Sequence, residues 1–88
     1  MAWKIKWDER ASKDFRKISK PDQIIISKYL TKRISILDDP KIFGKPLGGH
    51  LTGLWRYRVS DYRIVCNFKE DAMIIRVLAV GHRSKVYD

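Results

Sequence analysis

The sequence predicts an α+β domain: an N-terminal strand, a helical hairpin, then a three-stranded antiparallel meander, with the helices covering one face of the sheet. Three observations predict it. Residues 3–7 and 54–80 carry stretches of strict apolar and polar alternation, residues 9–37 place apolar side chains three or four apart, and turn-forming residues punctuate the boundaries. With 88 residues, 44% of them hydrophobic, there is material for one modest core and not for two, so residues 1–88 read as a single domain.

Trp3-Lys4-Ile5-Lys6-Trp7 alternates, which predicts a half-buried strand with Trp3, Ile5 and Trp7 inward. Asp8 is placed to cap a helix starting at Glu9, whose stripe is Ala11, Phe15 and Ile18 while Arg10, Lys13, Asp14, Arg16 and Lys17 face water. Ser19-Lys20-Pro21 breaks that helix, and Pro21 suits the first turn of a second one. Its inward positions are Ile25 or Ile26, Tyr29 or Leu30, Ile34 and Leu37, and Asp38-Asp39-Pro40 ends it. Lys41 to Gly53 holds four of the five glycines and reads as a loop.

Leu54 to Phe68 is a hairpin about a two-residue Ser60-Asp61 turn. That turn pairs Val59 with Tyr62, Arg58 with Arg63, Tyr57 with Ile64 and Arg56 with Val65, which gathers the aromatic residues on one face. Lys69-Glu70-Asp71 is the next turn, and Ala72 to Val80 the last strand, ended by Gly81. Continuing the register puts Met73, Ile75, Val77 and Ala79 on the face of Trp55, Tyr57 and Ile64, and Ile74, Arg76, Leu78 and Val80 on the other.

A formal charge of +9, from 19 Lys and Arg against 10 Asp and Glu, points to a polyanionic partner: nucleic acid first, an acidic protein second, a membrane surface third. The lone Cys66 excludes an internal disulfide and falls on the core face, which fits a reducing cytoplasm. Charges at Lys4 and Lys6 interrupt any signal-peptide core, and the longest apolar runs are too short to span a bilayer, so a cytoplasmic protein without a membrane partner is expected.

The anomaly is Arg58 opposite Arg63, a like-charge cross-strand pair with β-carbons about 5 Å apart. Either both side chains turn outward into water, or they converge on an anion, most naturally a phosphate. Arg56 and Arg76 share that face, Lys45 lies in the nearby loop, and the tail adds His82, Arg83, Lys85 and Tyr87. Carboxylates are missing there, which argues against paired-carboxylate hydrolysis and a hard-metal site. Two histidines and one inward cysteine make no convincing zinc site, and no serine has an evident triad. Phosphate recognition, or phosphoryl transfer with neither metal nor cofactor, is what remains.

Taken in order, several segments resemble the RelE-type toxins of the RelE/ParE toxin-antitoxin superfamily: Asp8-Glu9-Arg10-Ala11, Lys45-Pro46-Leu47, Leu51 to Val59, Asp61 to Val65, and Val80 to Tyr87. The resemblance implies a domain that enters the ribosomal decoding site and cuts messenger RNA there, by attack of a ribose 2′-hydroxyl on the adjacent phosphate. It also implies a cognate antitoxin, and contacts with ribosomal RNA. Carried over, Arg58 and Arg63 clamp the phosphate, with Arg56 beside them; at Arg56 and Arg58 relatives often have lysine. Arg83 assists the leaving 5′-oxygen, and Tyr87 stacks on a base or orients the 2′-hydroxyl. Lys45, Arg76 and Lys85 contact RNA. Arginine is a poor general base, so His82 is a candidate for proton transfer, with a structural role after Gly81 as the alternative. A ParE-type toxin that poisons DNA gyrase, or a non-catalytic basic RNA- or ribosome-binding module, are the other readings.

Overall fold

The structure is a computed structural model and describes residues 2–82. The chain runs β1 (Lys4–Trp7), α1 (Glu9–Arg16), α2 (Lys20–Lys28), β2 (Lys45–Pro46), β3 (Trp55–Val59), β4 (Tyr62–Lys69) and β5 (Ile74–His82). The five strands form one mixed sheet in the order β1-β5-β4-β3-β2, with β1 parallel to β5 and every other pair antiparallel. Two helices on one face make this the α+β layering that the pattern predicts.

Asp8 caps α1 by accepting from the Arg10 N–H at 3.4 Å, and Ala11 is fully buried with Phe15 and Ile18 packed beside it. Trp7 leans on Phe15, ring centroids 4.6 Å apart, which fastens β1 to the helix it precedes. On α2 and the helical turn that continues it, the inward residues are Ile26, Leu30 and Ile34, while Ile25 is exposed. These three are spaced by four, and in a straight α-helix residues four apart drift by about 40° around the axis. Between Tyr29 and Ile34 the helix widens to i→i−5 bonding, with the Ser35 N–H donating to the Leu30 carbonyl at 2.9 Å. The wider turn takes up the drift and keeps the three residues in line over the sheet. It also brings the Ser35 carbonyl to the Trp3 N–H at 2.7 Å, anchoring the start of β1.

The hairpin register is the expected one: Val59 faces Tyr62, Arg58 faces Arg63, Tyr57 faces Ile64 and Arg56 faces Val65. Ser60 takes φ 56 at the first turn position, while Asp61 stays outside the left-handed region, as a type II′ turn requires. On the helix side Tyr57, Ile64, Cys66, Ile75 and Val77 build the core with Trp3 and the helices. The Tyr57 hydroxyl donates to the buried Pro40 carbonyl and so pins the stretch before β2 across β3.

Three expectations need correction. The 41–53 stretch is not all loop: β2 adds a short edge strand by pairing Lys45 with Arg56 and Pro46 with Trp55. The last strand is Ile74–His82 rather than Ala72–Val80, because Glu70–Ala72 is a helical turn that Met73 closes at φ 52. Within β5 the register to β4 slips by one residue: Val65 pairs with Ala79 but Cys66 with Val77, leaving Leu78 as a bulge. Beyond it the faces exchange. Val80, expected outward, is buried, and Ala79 turns to the other side.

Candidate anion-binding face

Strand register decides which side chains share the face away from the helices. From the β2 edge inward these are Lys45, then Arg56 and Arg58 on β3, then Arg63, Val65, Asn67 and Lys69 on β4. On β5 they are Ala79 and Gly81 beyond the bulge and Arg76 before it, and on β1 Lys4 and Lys6. No residue of any of the five strands is acidic. Of the predicted site residues this brings together Arg56, Arg58, Arg63 and Lys45, with Arg76 further along the same face.

The arginine end is not simply a solvated surface. Val65, between Arg56 and Ala79, is fully buried on this face as well. Arg56 and Arg63 are half-buried, and the Nε of Arg56 is buried with no hydrogen-bond partner. A buried donor left unpaired costs about 1–3 kcal/mol, which an incoming acceptor recovers. The loss of solvation, and then the nearby Arg58 and Arg63 charges, lower the pKa of Arg56 from its ordinary value. An anion placed among the three removes that mutual repulsion and supplies acceptors. Opposite Arg63 stands Gly81 and opposite Val65 stands Ala79, so β5 gives the guanidinium groups a floor free of bulky side chains.

His82 does not join them. It is exposed at the end of β5, pairs with Tyr62 on the helix side, and meets that ring edge-on at 6.0 Å. The Tyr62 hydroxyl in turn donates to Asp22 of α2 at 3.1 Å. The bulge at Leu78 is the reason, since uninterrupted alternation puts residue 82 on the face of Arg76. Arg83, Lys85 and Tyr87 lie outside the described residues. Arg76 ion-pairs with Asp8, Nη2 to Oδ1 at 3.5 Å. The Cys66 thiol is buried in the core and burial pushes its pKa upward, which makes it an inert packing group. Among the described residues no group of three His, Cys, Asp or Glu side chains is placed to hold a metal ion, and no helix is long and apolar enough to cross a membrane.

Asn67 and Lys69 were not singled out in the sequence, although the period-two pattern of β4 already puts them on the face of Arg63. Lys4 and Lys6 gave less signal, because their face depends on which strand β1 joins.

A helical pair on one side of a small mixed sheet, and on the other a cationic face whose strands carry no acidic residue, define a basic α+β domain. The model of the ParE toxin of type II toxin-antitoxin systems matches residues 5–87. The chain is 30% identical over 91 residues to the mRNA interferase toxin RelE of Escherichia coli strain K12, covering 99% of this chain and 92% of that one. Its fold matches the RelBE2 toxin-antitoxin complex of Mycobacterium tuberculosis with a TM-score of 0.86 at 21% identity, over 97% of this chain and 95% of that one. It also matches the intact RelBE toxin-antitoxin complex of E. coli with a TM-score of 0.75 at 24% identity, over 92% and 96%. The chain belongs to the ParE toxin family and is a type II toxin of the RelE/ParE superfamily.

Proposed function

We propose that this toxin is a ribosome-dependent endoribonuclease that cuts messenger RNA in the A site by 2′-hydroxyl transesterification without a metal ion. The observation that carries the reading is the direct opposition of Arg58 and Arg63, with the partly desolvated Arg56 beside them, on strands that carry no acidic residue. In this reaction the 2′-oxygen bonds to the adjacent phosphorus and the bond to the 5′-oxygen breaks, leaving a 2′,3′-cyclic phosphate and a 5′-hydroxyl end. Charge builds on the non-bridging oxygens in between, and fixed guanidinium donors in a poorly solvated site stabilise it. The arginines act as charge stabilisers, because a guanidinium offers donors and no acceptor. Following the family resemblance, Arg83 assists the leaving oxygen and Tyr87 aligns the nucleotide. Lys45 and Lys85 hold flanking RNA. This reading gives proton transfer to no described residue, and His82, the sequence's candidate for it, stands on the helix side beside Tyr62.

The relative named mRNA interferase supports the chemistry, and the toxin-antitoxin complexes among the structural matches support an acidic antitoxin as a second partner for a chain of charge +9. The ParE description of the matching family model favours one other reading, inhibition of DNA gyrase. Both are tested by adding the protein to translating ribosomes, mapping new messenger ends by primer extension, and assaying gyrase supercoiling in parallel. Cuts within A-site codons that fall by about 10²–10³-fold in Arg63→Ala, the usual effect of losing one charge-stabilising donor, are the expected result. Tyr87→Phe is expected to reduce them as well. Intact messenger with inhibited gyrase moves the assignment to the ParE activity, and intact messenger with active gyrase leaves a binding module.

A further inference from the structure

The cationic face does not stop at the arginines. Four residues along β4 from Arg63, Asn67 pairs with Arg76, which pairs in turn with Lys6 of β1; at the ends of the same strands Ile74 is flanked by Lys69 and Lys4. At about 3.3 Å per residue this second group begins roughly 13 Å from Arg63. Lys6, Lys69 and Arg76, with Trp7 and Ile74, line a groove of about 300 Å³. Lys4, Lys6 and Lys69 are exposed, and none has an ion pair among the described residues. None of the lining residues is acidic, and Arg76 is held at 3.5 Å by Asp8, which also caps α1.

Lysines on an edge strand have a structural use, since they keep the exposed backbone from pairing with another chain. That use accounts for Lys4 and Lys6, because β1 is an edge. It does not account for Lys69 and Arg76, which belong to inner strands and border the same groove. We propose that this groove is a second phosphate subsite, holding the backbone of the RNA strand whose reactive phosphate lies at Arg58 and Arg63. The strand then crosses the sheet from the hairpin turn to the β1 corner. The proposal rests on the ribonuclease reading and adds Lys6 and Lys69, with Lys4 behind them, as residues that set affinity rather than chemistry.

The test is fluorescence anisotropy of an oligouridylate single strand, long enough to span both groups, against the full-length chain and its Lys4→Gln/Lys6→Gln/Lys69→Gln variant. Each single-strand phosphate contact contributes about 0.7 to the slope of log affinity against log salt, so losing three lowers the slope by about 2. Over a fourfold rise in salt the wild type therefore loses about 20-fold more affinity than the variant. Lys6→Gln and Lys69→Gln alone each lower the slope by about 0.7, which guards against a folding defect in the triple variant. On programmed ribosomes the variant raises KM and leaves kcat unchanged. An unchanged slope overturns the proposal, and self-association of the variant alongside it assigns the lysines to edge protection. Failure of the wild type to bind while it still cuts messenger overturns this proposal alone. Failure both to bind and to cut overturns the ribonuclease reading as well.

Discussion

Reversing one charge of the Arg58–Arg63 pair is expected to stabilise the protein while destroying its activity. The register puts these residues directly opposite each other, and with guanidinium groups about 6 Å apart in a water-like dielectric they repel by about 0.7 kcal/mol. Screening at physiological salt, where the Debye length is about 8 Å, cuts this to about 0.3 kcal/mol. Arg58→Glu turns repulsion into attraction, so the swing is about 1.4 kcal/mol at low salt and about 0.7 kcal/mol at physiological salt, and Arg58→Gln gains half of each. For a domain of this size the physiological gain raises Tm by about 3–6 °C. Urea unfolding at two ionic strengths reads both the gain and its salt dependence, and messenger cleavage reads the loss of the site. A destabilised Arg58→Glu, or a gain that does not shrink as salt is added, refutes the account of this face as a strained cation cluster. Proteins do sacrifice stability at working sites in this way.

Tyr57→Phe removes the donor that satisfies the Pro40 carbonyl inside the core, and a lower urea midpoint corresponding to about 1–3 kcal/mol is expected, with cleavage of messenger by the remaining folded protein unchanged. Alkaline stability tests Cys66. Burial raises its pKa in the folded state, so the thiol keeps its proton there while the unfolded chain loses its own above about pH 8.5; the contribution is complete below that pH and drains away above it by about 1.4 kcal/mol per pH unit. Cys66→Ala is expected to flatten that decline, and iodoacetamide should label the native wild type only as fast as it unfolds.

The hairpin was legible to the residue because a two-residue turn between alternating segments leaves one register that keeps Trp55, Tyr57 and Ile64 together. The opposed arginines followed from it. The far half of β5 was not legible, for Val77-Leu78-Ala79-Val80 is apolar at both parities and gives no signal of where an extra residue sits. That one unreadable position misplaced Val80, and the strand, expected to end at Gly81, runs on to His82 on the helix side. β2 was hidden by its length of two residues and its proline. On α2 the choice between Ile25 and Ile26 waited on the widened turn, which no residue pattern announces. The parallel seat of β1 beside β5 depends on the whole sheet, and with it the second cationic group.

That parallel pairing also orders events during synthesis. Among the described residues β1 pairs with β5 alone, so that pairing waits until β5 has been made. Closure over nearly the full length is the slow kind of contact, and neither helix has its sheet to cover before it forms. The arginine end of the cationic face is built on the local β2-β3-β4 pairings, whereas the group that needs β1 is complete only with that last closure. An arrest before β5 therefore leaves β1 without its partner and the second cationic group unassembled.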